Sequence, residues 1–128
     1  MPAWEEYKAE ARNRGSLAHE VFVVVSTPVA GPEAVRANLP DHLAYIGSLE
    51  ANGSLMFAGP LSDESGTQMQ GTGMLILRAE SFDAAKALAE NDPMHISGAR
   101  SFTLRKWLIN EGSLTVSVNL ANQSVGLT

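Results

Sequence analysis

Glu20-Val-Phe-Val-Val-Val-Ser-Thr27 is the stretch whose reading decides the fold. Val21 to Val25 is an unbroken β-branched and aromatic run, closed by Pro28, with apolar side chains destined for both faces of a strand. Such a strand belongs in the middle of a sheet and needs cover on each side. The next segment is helical, from Gly31-Pro32 to Ala51. Pro40 lies inside it and lacks the N–H a helix requires, so the spacing predicts a helix kinked or split at that point. Leu39, Leu43, Ile46 and Leu49 recur at helical steps and form one apolar stripe. Asn52-Gly53 closes the segment, because both residues tolerate the left-handed conformation of a helix end.

Outward from this βα unit the pattern repeats with one insertion. Ser54 to Leu61 reads as a second strand ended by a Gly59-Pro60 turn. Ser62 to Thr72 is polar, with two glycines, and predicts a mobile loop between hairpin strands. Gly73 to Arg78 is a third strand around Met-Leu-Ile-Leu. Ser81 is an N-cap with Asp83 in the first turn, and Phe82, Ala85, Leu88 and Ala89 share one helical face. Asp92-Pro93 ends that helix, since the ring of a proline pushes the preceding residue out of the helical region. Ser101 to Ile109 supplies a fourth strand.

The order β-α-β-β-α-β is that of the α+β, ferredoxin-like split βαβ motif. Two additions flank it. Pro2 to Arg14 places Trp4, Tyr7 and Ala11 at helical steps before the break at Gly15, and Leu114, Val116, Val118 and Leu120 alternate with polar residues as a fifth strand would. We therefore expect a single domain with a helical arm over 1–18, a core over 20–110 and a strand extension over 111–128. Its two helices cover one face of the sheet only. The other face also carries apolar side chains, so burial against a second sheet predicts a homodimer, with the alternating tail reaching across to the partner.

Composition narrows the function. The 128 residues are 45% hydrophobic and 18% charged, a globular balance that supports one core. There is no cysteine, which removes disulfides, thiolate metal sites and cysteine nucleophiles and fits a cytoplasmic protein. The net charge of -5, with nine scattered basic residues, argues against nucleic acid as a partner. No apolar run approaches the length of a bilayer, and Met1 to Gly15 is acidic and polar rather than a signal peptide, so no membrane role is expected.

The candidates for chemistry are few. His42 falls on the apolar side of its helix, where a histidine is more often a hydrogen-bonded core or interface residue than a catalyst. Asp92 shifts that balance. At the end of the second helix the peptide dipole already places partial negative charge, so a carboxylate there calls for a cation nearby. In a split βαβ fold the two helices pack antiparallel, which brings the start of one near the end of the other. His42 and Asp92 are thus placed to meet; the bland alternative is an Asp-Pro turn facing water. A carboxylate on one ring nitrogen would leave the other free to move protons. His95 could join them around zinc, but no HxH or HExxH spacing supports a metal, and none is expected. His19 reads as a surface residue. Gly59-Pro60 is a plain turn or a place where a ligand approaches the backbone. Gly71 to Met74 lacks the Lys-Ser/Thr of a phosphate loop and leads into a strand, so no nucleotide cofactor is implied. Trp107 with Arg105 and Lys106 reads as core packing with solvated charges.

Taken in order, Pro40-Asp41-His42-Leu43, Gly53-Ser54-Leu55, Ala58-Gly59-Pro60-Leu61 and Asp92-Pro93 followed by Gly98 resemble the YciI-like (YCII-related) family over about residues 20 to 110. The resemblance implies a dimeric α/β barrel and a His-Asp pair in a pocket, carried here by His42 and Asp92 as the expected catalytic residues; Gly59 and Pro60 are the expected substrate contacts if the turn they form meets a ligand. It also implies cofactor-independent acid-base chemistry of the lyase or isomerase kind on a small molecule. In that family an Arg often precedes the Pro of the helix motif. Leu39 stands there in this chain, and Arg36 or Arg100 is the candidate replacement as a substrate contact. The competing reading keeps the same barrel as a non-catalytic ligand-binding or assembly module.

Overall fold

The computed structural model describes residues 1–127. The elements in chain order are helix α1 (Trp4–Asn13), strand β1 (His19–Pro28), helix α2 (Pro32–Ala51), strands β2 (Leu55–Ser62) and β3 (Met69–Leu77), helices α3 (Phe82–Glu90) and α4 (Pro93–Ile96), and strands β4 (Arg100–Ile109), β5 (Val116–Asn119) and β6 (Ser124–Leu127). They fall into two compact units, one of residues 20–107 and one that joins residues 1–19 to those from 108 onward.

The larger unit carries the ferredoxin-like sheet, in the order β2-β3-β1-β4. Strand β1, with its apolar run Val21 to Val25, is indeed an inner strand. It pairs antiparallel with β3, with Phe22 opposite Leu77 and Val24 opposite Leu75, and these side chains meet Leu49, Ala85 and Ala89 from the helices in the core. Phe22 is 2% exposed, a burial that contributes on the order of 1.5–3 kcal/mol. An edge contact to Phe82, with ring centroids 6.4 Å apart, extends it. Helix α3 starts as its sequence dictates: the Ser81 hydroxyl oxygen accepts the Ala84 N–H at 3.0 Å.

Four expectations change. Helix α2 runs through Pro40 as a single 20-residue element and is not split. Strand β2 does not stop at Gly59-Pro60 but continues to Ser62, with Pro60 opposite Gly73. The sheet order explains this, because β2 is an edge strand, where a proline can sit without removing a ladder bond. The expected long loop is correspondingly short. Asp63 organises it, its Oδ1 accepting from the Ser65 hydroxyl at 2.7 Å and from the Thr67 and Gln68 N–H groups at 3.2 and 3.3 Å. Trp107 is 43% exposed, not core.

In the smaller unit, Trp4, Tyr7 and Ala11 pack with Ala18 and Leu108, so the arm's helical stripe has its own small core. The alternating tail is β5, but its partner is β6, a strand its sequence does not announce. Val116 faces Leu127 and Val118 faces Val125 across this hairpin. The apolar side chains all lie on one face and are exposed in the single chain.

Candidate functional site: a histidine-aspartate pair and an arginine-serine-histidine relay on one cavity

The site is assembled where α2 lies beside α3 and α4. The Tyr45 hydroxyl of α2 donates to the Leu88 carbonyl at 2.7 Å, and Ile46 and Leu88 pack against the common core, which fixes α2 at this height. One turn before Tyr45, His42 then reaches the chain that links α3 to α4.

Asp92 waits there for a reason different from the one its sequence position suggests. Helix α3 ends at Glu90, and Asp92 is the N-cap of the next short helix, α4, rather than the last residue of the one before. Its Oδ1 accepts the Met94 N–H at 2.9 Å, so the backbone supplies part of the compensation expected from a cation. Proline at the first helical position costs nothing, since that N–H would have no partner anyway. The His42 ring supplies the rest. Its Nδ1 lies 2.9 Å from Asp92 Oδ1 and 2.8 Å from Oδ2. Asp92 is 2% exposed. Burial pushes its carboxyl pKa up, but the hydrogen bonds from His42 and Met94 and the charges of His42 and His95 outweigh burial and hold it below the usual value. An ionised carboxylate can only accept, so His42 Nδ1 carries the hydrogen and Nε2 is the exchangeable position. Among the described residues Nε2 has no hydrogen-bond partner, and His42 forms part of the wall of a cavity of about 460 Å³.

The cavity is mostly apolar. Three of the four residues of the α2 stripe, Leu39, Leu43 and Ile46, line it, with Met69 and Met74 from β3 and Met94 from α4. Leu49 of the stripe is buried in the core, and Ile46 packs against that core as well as lining the cavity. Ala58, Gly59 and Pro60 of β2 also line it. Arg36 is exposed and takes no part, whereas Arg100 is in the wall.

Arg100 belongs to a second polar cluster. Its Nε donates to Ser26 Oγ at 2.8 Å, and its Nη2 donates to the Ser26 carbonyl at 2.7 Å and to the Gly71 carbonyl. Gly71 has φ +92°, and a Cβ on it would lie 3.1 Å from Pro28 Cγ, so glycine is what lets β3 turn this carbonyl to the guanidinium. Ser26 Oγ is also 2.8 Å from His95 Nε2, while His95 Nδ1 lies 2.6 Å from the Ala89 carbonyl. A carbonyl only accepts, so Nδ1 of His95 is protonated. Both His95 nitrogens are thereby engaged and the ring is not available as a metal ligand. Among the described residues no group of three or more His, Asp or Glu side chains is placed to hold a metal. His19 is exposed at the start of β1.

Ser26 and His95 were not among the expected site residues. One signal was readable: Phe22, Val24 and Ser26 alternate on the helix-covered side of β1, and a hydroxyl on that side needs a buried partner. That partner is on α4, 69 positions away.

A ferredoxin-like α+β unit with a preformed apolar cavity and two convergent polar clusters is the architecture of a small-ligand site. The YCII-related domain model matches residues 18–108, and the chain belongs to that family. Among curated relatives, the uncharacterized protein YjpA of Bacillus subtilis (strain 168) is 27% identical over 70 residues, covering 55% of this chain and 75% of YjpA. Among solved structures, the 5-chloro-2-hydroxyhydroquinone dehydrochlorinase TftG of Burkholderia phenoliruptrix AC1100, in complex with 2,5-dihydroxybenzoquinone, is similar with a TM-score of 0.57. The identity is 28%, over 68% of this chain and 92% of TftG. No helix of the described residues is long and apolar enough to cross a membrane.

Proposed function

We propose that this protein is a cofactor-independent enzyme that moves a proton on a small, largely apolar substrate, with His42 as general base and acid and Asp92 as its orienting partner. The observation that carries the reading is the geometry of the pair: a buried carboxylate holds Nδ1 of His42 and leaves Nε2 on the cavity wall without a protein partner. In the reaction, Nε2 accepts a proton from the substrate and the released electron pair forms a double bond. Either a leaving group departs with its own electrons, giving a lyase, or the proton returns at another carbon, giving an isomerase. Gly59 and Pro60 give the substrate a wall without side-chain bulk, and Arg100 contacts it from the cluster on β4. The similarity to a dehydrochlorinase supports the lyase side.

The test is to offer the purified protein 5-chloro-2-hydroxyhydroquinone and follow chloride release, with a panel of small enolisable ketones scored for proton exchange into solvent deuterium. Turnover of any of them above buffer supports the enzyme. No reaction with any, alongside saturable binding of the same compounds, would leave a non-catalytic ligand-binding module.

We further propose that the working form is a homodimer joined through the sheet face away from the helices. The register puts Val23, Ile76 and Phe57 side by side; Ile76 is already buried, Val23 is half-buried and Phe57 is 44% exposed. Alternation along β4, with Phe102 and Leu104 turned to the core, sets the exposed Trp107 on that same face. The exposed apolar face of the β5–β6 hairpin adds a surface for the partner, since a two-stranded hairpin is marginal alone. Light scattering should give twice the monomer mass at micromolar concentration. Deleting residues 112–128 should weaken that dimer or lower solubility. A monomeric full chain would defeat the assembly, and an unchanged dimer and melting temperature after deletion would show the hairpin to be incidental.

A further inference from the structure

Arg100 has no carboxylate in direct contact among the described residues. Its guanidinium spends three N–H groups on Ser26 Oγ, the Ser26 carbonyl and the Gly71 carbonyl, all uncharged acceptors. Both N–H groups of Nη1 have no acceptor among the described residues, and no carboxylate there pairs with the side chain. Burial depresses the Arg100 pKa, with the charge of Asp92 acting in the opposite sense, yet a guanidinium stays protonated at any physiological pH. A fixed positive charge is therefore held in the wall of an apolar cavity, partly stripped of water, with the charge of Asp92 nearby but no carboxylate in direct contact with the guanidinium.

Resting on the proposed reading of this cavity as a substrate site, we infer that Arg100 and Ser26 form an oxyanion subsite, and that the ligand is a small apolar-bodied anion carrying a carboxylate or ionised enol oxygen. The direct anionic contact that Asp92 does not make is the one the ligand brings. Ser26 and His95 hold the guanidinium in place. Nδ1–H of His95 is committed to the Ala89 carbonyl, its Nε2 is hydrogen-bonded to Ser26 Oγ, and Ser26 Oγ in turn accepts from Arg100 Nε. Three bonds from three directions fix the plane of the fork and leave Nη1 for the ligand. His95 and Ser26 are positioning residues, since they act through Arg100. The body of the ligand lies against Leu43, Ile46 and Met74. A charged group recognised by a charged, desolvated donor is discriminated strongly from its neutral isostere, because the neutral form leaves the cation uncompensated.

Benzoate and benzamide are matched in shape and differ in charge, and neither can react. Calorimetric titration of the wild-type protein at low ionic strength should show benzoate binding at least about tenfold more tightly than benzamide. Arg100→Met should level the two probes, Ser26→Ala should shrink the preference severalfold, and His42→Asn should retain it. The last result separates this subsite from the acid-base reading, because binding preference does not require a working base. In the wild type the Arg100 Nε–H resonance should shift with benzoate and not with benzamide, a measurement that stands even where Arg100→Met does not fold. Equal affinity for the two probes, absence of binding by both, or a preference that survives Arg100→Met would overturn the subsite.

Discussion

Replacing His42 with alanine is expected to lower turnover of any substrate by roughly 10²- to 10⁴-fold, the usual contribution of a positioned acid-base group. Alanine also strips Asp92 of a hydrogen-bond donor, and a buried carboxylate missing a partner costs about 1–3 kcal/mol, so lost activity alone would not identify the role. His42→Asn resolves this. Its side-chain amide can place an N–H near the position of Nδ1, keeping the bond to Asp92, while nothing replaces Nε2. We expect His42→Asn to melt close to wild type and to be as inactive as His42→Ala. If His42→Asn keeps turnover, the free nitrogen is not the proton carrier, and the pair is a structural bridge between α2 and the start of α4. Circular dichroism and a kcat measurement on the two variants decide between these outcomes.

The pairing behind this prediction was legible in the sequence, but for a partly mistaken reason. Asp92 was placed at a helix C-terminus, where a carboxylate is uncomfortable, and the discomfort implied a cation. In the structure Asp92 caps the following helix, where a carboxylate is welcome, and His42 is drawn to a buried anion already held by the Met94 N–H. Asp-Pro reads equally as the end of one helix and the start of the next, and only the four residues after it separate the two. The inner position of β1 followed from its apolar run Val21 to Val25, and the ferredoxin-like order from two helices that alternate with strands. The apolar stripe of α2 was less informative: Leu39, Leu43, Ile46 and Leu49 have one periodicity and two destinations, because an apolar cavity wall and a core demand the same side chains. Arg100 was a candidate substrate contact, but its relay with Ser26 and His95 was not legible, since it joins the end of β1, α4 and the first residue of β4, contacts that no local pattern encodes. The role of Pro60 depended on whether β2 lay at an edge, a property of the whole sheet.

Asp92→Asn should be the second variant of large effect, with a signature in pH as well as rate. The amide keeps the size of the carboxylate and can still accept from Met94, but it carries no charge and can donate to His42 Nδ1. Donation there drives the ring hydrogen to Nε2 and removes the lone pair that takes the substrate's proton, so kcat should fall by roughly 10²- to 10⁴-fold. The stability effect follows from the direction of the Asp92 shift. Its folded-state pKa lies below the ordinary carboxyl value of 3.8. The native state therefore favours the ionised form, and the stabilisation is fully present above 3.8 and is lost as pH falls through the depressed value. Wild type should exceed Asp92→Asn in stability by on the order of 1–3 kcal/mol at neutral pH. The gap should close on acidification, because a protonated Asp92 loses the charge that distinguishes it from asparagine. Urea midpoints for both proteins, taken from neutral pH down to about pH 2, give the gap directly. A gap that stays constant through that range would mean that Asp92 is held by packing and backbone hydrogen bonding rather than by its charge, and the charged partnership with His42 would have to be abandoned.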